Sequence, residues 1–170
     1  WGMAFDSGGN LYIADNTSNV FKYTPAGARS TFASNLADPL SIAIDRNDNI
    51  YVGVFYTGEI RKFNTNGTSS VFATGIADPL CLAFAPDGNL FESDGATPAS
   101  IKRFAYVGSI LSTNPTTFAP GLNYPYGLAF APADLPVRPT LFALKTNGVV
   151  RVTWSSSFGG WTLDKTASLA

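Results

Sequence analysis

One pattern returns along this chain at intervals of about 40 residues, and self-similarity at that period means a fold assembled unit by unit. The first copy reads Trp1-Gly2-Met3-Ala4-Phe5-Asp6, a turn at Ser7-Gly8-Gly9, then Asn10-Leu11-Tyr12-Ile13-Ala14-Asp15. The second reads Leu40-Ser41-Ile42-Ala43-Ile44-Asp45, a turn at Arg46-Asn47-Asp48, then Asn49-Ile50-Tyr51-Val52. The third reads Leu80-Cys81-Leu82-Ala83-Phe84-Ala85, a turn at Pro86-Asp87-Gly88, then Asn89-Leu90-Phe91. A fourth opens with Tyr126-Gly127-Leu128-Ala129-Phe130-Ala131 and then departs from the pattern. Phe5, Ile44, Phe84 and Phe130 are equivalent positions, spaced by 39, 40 and 46 residues.

Each unit reads as four short strands. The first alternates large and small apolar residues, as a strand packed between neighbouring sheets does. The Gly-Gly-Asn and Asp-Gly-Asn turns supply the positive φ of a tight hairpin. Third strands are expected around Val20-Phe21-Lys22-Tyr23, Ile60-Arg61-Lys62-Phe63 and Ile101-Lys102-Arg103-Phe104, and fourth strands around Thr31-Phe32-Ala33, Val71-Phe72-Ala73 and Thr117-Phe118-Ala119. Units close at Asp38-Pro39, Asp78-Pro79 and Tyr124-Pro125. No segment carries a sustained helical period. Four strands per repeat of about 40 residues is the arithmetic of a β-propeller blade. The expected fold is all-β, with three full blades over 1–39, 40–79 and 80–125 and the start of another at 126.

These residues carry a family resemblance. The recurring Pro-x-Gly-Ile-Ala-x-Asp-x-x-Gly-Asn-Leu-Tyr-Val-x-Asp pattern over residues 1–132 resembles NHL repeats and the related six-bladed SMP-30/gluconolactonase propellers. A six-bladed ring needs about 240 residues at this period, and the chain has 170. Trp1 already lies inside a repeat. The expectation is therefore a segment of a larger protein, an arc rather than a ring. Its uncovered flanks are expected at Met3, Phe5, Leu11 and Ile13 on the first blade and at Leu82, Phe84 and Leu90 on the last. Apolar flanks of that size imply the remaining blades as partners, or self-association.

The last portion admits two readings. Residues 133–139 are a proline-rich loop or linker. Thr140–Leu144 and Val149–Trp154 read as a hairpin turning at Thr146-Asn147-Gly148, with Gly159-Gly160-Trp161-Thr162-Leu163 as a third strand. Residues 140–170 are either a degenerate blade or the opening of a fibronectin- or Ig-like sandwich.

Composition narrows the chemistry. The chain is 45% hydrophobic and 14% charged, which excludes a disordered polypeptide. Its 11 basic and 12 acidic residues leave no surplus to neutralise a phosphate backbone, so no nucleic-acid partner is expected. No apolar stretch approaches a membrane span. A single cysteine, Cys81, permits no internal disulfide, and there is no histidine. A surface rich in Asn, Ser and Thr favours an extracytoplasmic bacterial protein.

The resemblance to SMP-30/gluconolactonase enzymes implies a divalent cation held by carboxylates and amides, several of them just before the innermost strands. Here those positions are Trp1, Leu40, Leu80 and Tyr126, none with a suitable oxygen. No metal and no cofactor are expected in residues 1–132. Virginiamycin B lyase-like propellers rely on a catalytic histidine, which this segment lacks. Asp45-Arg46-Asn47-Asp48-Asn49 superficially matches a calcium loop but aligns with the other hairpin turns. Glu92 and Asp94 share a strand face. They are either an acid/base or metal pair, or a turn cap at Asp94, repeating Asp15, with Glu92 at an edge. Glu92 stands where Ile13 and Val52 stand, so it is either near solvent or near a function. Trp1 and Tyr126 at the channel mouth either stack on a ligand or pack on the neighbouring blade. Asn16-Thr17-Ser18 and Asn66-Gly67-Thr68 match glycosylation sequons but are ordinary turn residues. Cys81 replaces Gly2, Ser41 and Gly127 where a small residue is required, and reads as a packing thiol.

The reading that follows is a non-enzymatic recognition or scaffold module with no catalytic residue assigned. Its ligand, a protein, peptide or carbohydrate, would contact Trp1, Tyr126, Glu92 and Asp94. The alternative is a metal-dependent lactone or ester hydrolase whose active site needs blades outside this chain.

Overall fold

The computed structural model describes residues 1–15 and 17–130, and residues 142–146 and 149–153 for their backbone alone. Residues 1–130 form one compact unit and 131–170 a second. Among the described residues every regular element is a strand.

The first unit contains three four-stranded antiparallel meanders. Blade 1 is β1 (Met3–Phe5), β2 (Leu11–Asp15), β3 (Asn19–Tyr23) and β4 (Arg29–Ala33). Blade 2 is β5 (Pro39–Ile44), β6 (Ile50–Val54), β7 (Glu59–Phe63) and β8 (Ser69–Thr74). Blade 3 is β9 (Pro79–Phe84), β10 (Leu90–Asp94) and β11 (Ala99–Phe104), then an inserted hairpin of β12 (Tyr106–Val107) and β13 (Ile110–Leu111), then β14 (Thr116–Leu122). In the second unit β15 (Phe142–Thr146) pairs antiparallel with β16 (Val149–Thr153). The expected turn at Asn147-Gly148, the segment 133–139 and the strand at 159–163 lie outside the described residues.

The turns are built as their residues require. Gly9, Asp48 and Gly88 occupy equivalent corners with φ of 76°, 60° and 89°, the left-handed region that glycine and aspartate tolerate best. Asp45 closes its turn by accepting the amides of Asn47 and Asn49 at 2.9 Å each and the side-chain amide of Asn49 at 2.8 Å. Both of its oxygens are thereby committed to a hairpin, not to a cation. The next blade's turn is tied back by the Ser7 amide, which donates to Asp48 at 2.8 Å.

Two apolar seams join the blades. Tyr12, Ala14 and Val20 of blade 1 pack with Ile42, Ile50, Val52, Val54 and Phe63 of blade 2. Ala43, Tyr51, Ile60 and Ala73 of blade 2 pack with Leu82, Leu90 and Phe104 of blade 3. Tyr12, Tyr51 and Phe91 are buried as the repeat predicts. Ile44 and Phe84 are half-buried at the seams. Phe5 differs from them: it is 66% exposed, because β1 has no earlier blade against it. Phe130 is also exposed.

The first open flank falls where expected, with Met3 and Phe5 exposed and Leu11 and Ile13 half-buried. The other requires a correction. Leu82 and Leu90 are buried and Phe84 half-buried, all against blade 2. They share the face that Met3, Phe5 and Leu11 use. All blades face the same way, so the uncovered side of the last blade is the opposite face, where Phe118 is exposed.

Candidate functional site

The residue opening each first strand is set by a close approach between blades. Gly2 donates its amide to the Leu40 carbonyl at 2.6 Å, and a Cβ on Gly2 would stand 2.6 Å from the Ile42 nitrogen. This contact brings the first-strand ends together. Trp1, Leu40, Leu80 and Tyr126, one from each successive repeat, converge on a cavity of about 650 Å³, within the usual range for ligand sites. Met3, Ile42, Phe55, Leu82 and Leu128 complete its apolar wall, and Ser41 and Cys81 are its small polar members. Trp1 and Tyr126 are 71% and 72% exposed at the rim, and Tyr126 stacks on Tyr124 at 6.1 Å between ring centroids.

The Cys81 thiol is pushed up by burial and by the Glu92 charge, against a backbone hydrogen bond involving Leu128 that lowers it. It stays a neutral thiol near pH 7, which is a packing role rather than a nucleophile's. The lining therefore presents aromatic and aliphatic surface and neutral polar groups.

Glu92 and Asp94 are not among the lining residues, although Glu92 stands directly opposite Leu82 of the cavity wall. Both are buried on β10, an interior strand of its sheet. Asp94 accepts the Ser100 amide at 3.0 Å and its hydroxyl at 2.7 Å, and pairs with Lys102 at 3.0 Å. Burial raises its pKa, but the Ser100 bonds and Lys102 outweigh this and hold the carboxyl below its ordinary value. Asp94 is thus tied to β11, whereas Asp15, its counterpart in blade 1, accepts the Thr17 amide within the turn at 2.7 Å.

The expected edge position of Glu92 is corrected by the topology. Glu92 is fully buried and neither carboxylate oxygen has a hydrogen-bond partner. Burial pushes its pKa up to about 8, Lys102 opposing and Asp94 adding to the shift. Burial without a hydrogen-bond partner thus favours the protonated form of Glu92. The structure therefore places Trp1 and Tyr126 in one lining, to which Glu92 and Asp94 do not contribute. Sequence reasoning missed Lys102, although register shows it: Lys102 stands directly opposite Glu92 on the neighbouring strand. Among the described residues no three His, Cys, Asp or Glu side chains converge as a metal site would require.

No family model and no curated protein matches the sequence. Solved structures do. The chain is similar to a chain of a nidogen/laminin complex at 23% identity and a TM-score of 0.62, covering 71% of this chain and 49% of that one. A gluconolactonase from Xanthomonas campestris matches at 15% identity and a TM-score of 0.61, covering 70% and 46%. A virginiamycin B lyase from Staphylococcus aureus matches at 14% identity and a TM-score of 0.58, covering 70% and 40%. The chain spans less than half the length of each. Their common ground defines the class: residues 1–130 are β-propeller blades. The fold they share with this chain is that of a β-propeller, present here as three complete four-stranded blades.

Proposed function

We propose that this chain is a recognition module of a larger extracytoplasmic bacterial protein, and that its ligand is a neutral molecule with an apolar face. The observation that carries this reading is the convergence of Trp1, Leu40, Leu80 and Tyr126 on one cavity. Their aromatic and aliphatic surface gains about 25 cal/mol for each Å² of apolar area it removes from water. Flat rings at the rim suit the apolar face of a sugar or the side chain of a peptide. Acid–base or metal chemistry would instead call for ionisable or oxygen-rich groups in the lining.

An array of neutral oligosaccharides and unmodified peptides tests this. Binders are expected, and Tyr126→Ala and Leu80→Asp should each abolish their capture. An array without binders, or binders indifferent to both variants, contradicts the proposal. Metal-dependent hydrolysis of an aldonolactone by the chain would favour the hydrolase reading in its place.

A further inference from the structure

The turns that follow the first strands meet one another between blades. At the first seam the Ser7 amide and hydroxyl donate to the Asp48 carboxylate at 2.8 and 2.5 Å. At the second seam Arg46 stands in the place of Ser7, and Gly88 in the place of Asp48. The donor is now a guanidinium, and the carboxylate that would receive it is missing. A Cβ on Gly88 would overlap the Arg46 guanidinium, so the bare glycine is what lets the head group lie across the turn. Among the described residues its one hydrogen bond is to the Asp87 carbonyl at 3.4 Å, and it pairs with no carboxylate. The Asp87 carboxylate is committed to its own turn, accepting the Asn89 amide at 3.0 Å and the Asn89 side-chain amide at 2.8 Å.

The wall beside this charge is an insertion in the repeat. Blades 1 and 2 pass from third to fourth strand through residues 24–28 and 64–68, whereas blade 3 takes 105–115 and folds it as β12 and β13. Insertions in repeat proteins often lie on the binding face. This hairpin is firmly rooted: the Tyr106 amide donates to the Asn89 side-chain oxygen at 3.0 Å, and Leu111 is buried in the seam. Its tip carries Val107 and Ile110, directly opposite each other and 73% and 74% exposed. Arg46, Asn47, Asp87, Tyr106, Gly108 and Ser109 line a groove of about 370 Å³.

We propose that this groove is a docking site for an extended acidic segment of a partner protein. One partner carboxylate takes the guanidinium of Arg46, as Asp48 takes the donors of Ser7, and a neighbouring aliphatic side chain covers Val107 and Ile110. Charge complementarity selects this occupant: the planar fork of arginine matches a carboxylate with two parallel hydrogen bonds. The site lies beyond the ends of the first strands, whereas Trp1, Leu40, Leu80 and Tyr126 gather at their beginnings. It therefore stands or falls independently of the cavity.

The probe is an octapeptide of alternating glutamate and isoleucine, acetylated and amidated so that its only carboxylates are side chains. Added to the full chain, it should give saturable amide NMR shifts at Asn47, Gly108 and Ser109. Arg46→Gln should weaken binding about tenfold through the lost charge-assisted bonds, with the urea midpoint unchanged. Gly88→Asp should close the site by supplying the missing carboxylate in place. Val107→Ser with Ile110→Ser should weaken binding through the lost apolar contact, and a peptide with glutamine for glutamate should not bind. Absence of binding, binding indifferent to Arg46→Gln, or equal binding of the glutamine peptide overturns the proposal. So do saturable shifts with inorganic phosphate and none with the octapeptide, which would mark an anion site of another kind.

Discussion

Phe72 and Phe104 meet across the seam between the second and third blades, with ring centroids 5.4 Å apart. Phe104 has no exposed surface, while Phe5 on the first blade is 66% exposed. The same residue type thus stands in one repeat architecture under opposite conditions. Phe104→Ala is expected to cost about 3–5 kcal/mol, the usual range for emptying a buried phenylalanine site. Phe5→Ala should cost less than about 1 kcal/mol, as surface substitutions do. Urea unfolding of both variants checks the difference, and equal costs would mean the seams are misassigned.

The pH dependence of stability should carry the mark of Glu92. Its pKa is raised from 4.5 to about 8 in the folded chain. Between those values the native state holds a proton that the unfolded state releases, so stability falls as pH rises across the window. The slope contributed by one such group is about 1.4 kcal/mol per pH unit. Asp94, whose pKa is lowered, acts below this window and with the opposite sign: its stabilisation is lost as pH falls. Urea midpoints should therefore decline between about pH 5 and pH 8 in the native chain, and Glu92→Gln should flatten that decline. A decline of equal slope in both proteins would contradict the burial of this carboxyl.

Gly2 and Gly127 occupy equivalent repeat positions in different surroundings. A Cβ at Gly2 would stand 2.6 Å from the Ile42 nitrogen and 2.7 Å from the Ser41 Cα, whereas among the described residues nothing lies within 4 Å of one at Gly127. Gly2→Ala should destabilise by about 1–3 kcal/mol, the usual cost of overpacking. Gly127→Ala should leave the urea midpoint unchanged. Thermal and urea unfolding of the two variants separate the sites.

The repeat was legible from the sequence because equivalent residues do equivalent work. Tyr12, Tyr51 and Phe91 are buried, and Asp45 braces its turn as the alignment of the turns implies. The identity of the open flank was not. A period of two separates the faces of a strand but does not say which face meets the next blade. The strand period alone therefore points to Leu82 and Leu90 as uncovered, while the structure leaves Phe118 exposed. Glu92 was misplaced for a related reason: a carboxylate in an apolar pattern suggests an edge. Its depth is set by strands on either side of it, Leu82 on one and Lys102 on the other. The repeat places Trp1 and Tyr126 at equivalent positions, and the close approach at Gly2 shows how first-strand ends are drawn together.

The proposed recognition site is tested most directly by methyl NMR on the full chain, titrated with a neutral binder taken from the array. Two sets of leucine methyls report on separate places: Leu40, Leu80 and Leu128 line the cavity, while Leu90 and Leu111 lie in the seam cluster. The account predicts saturable shifts at the three cavity leucines, with those at Leu90 and Leu111 unmoved. Saturable binding that shifts the seam leucines and spares Leu40, Leu80 and Leu128 would contradict it.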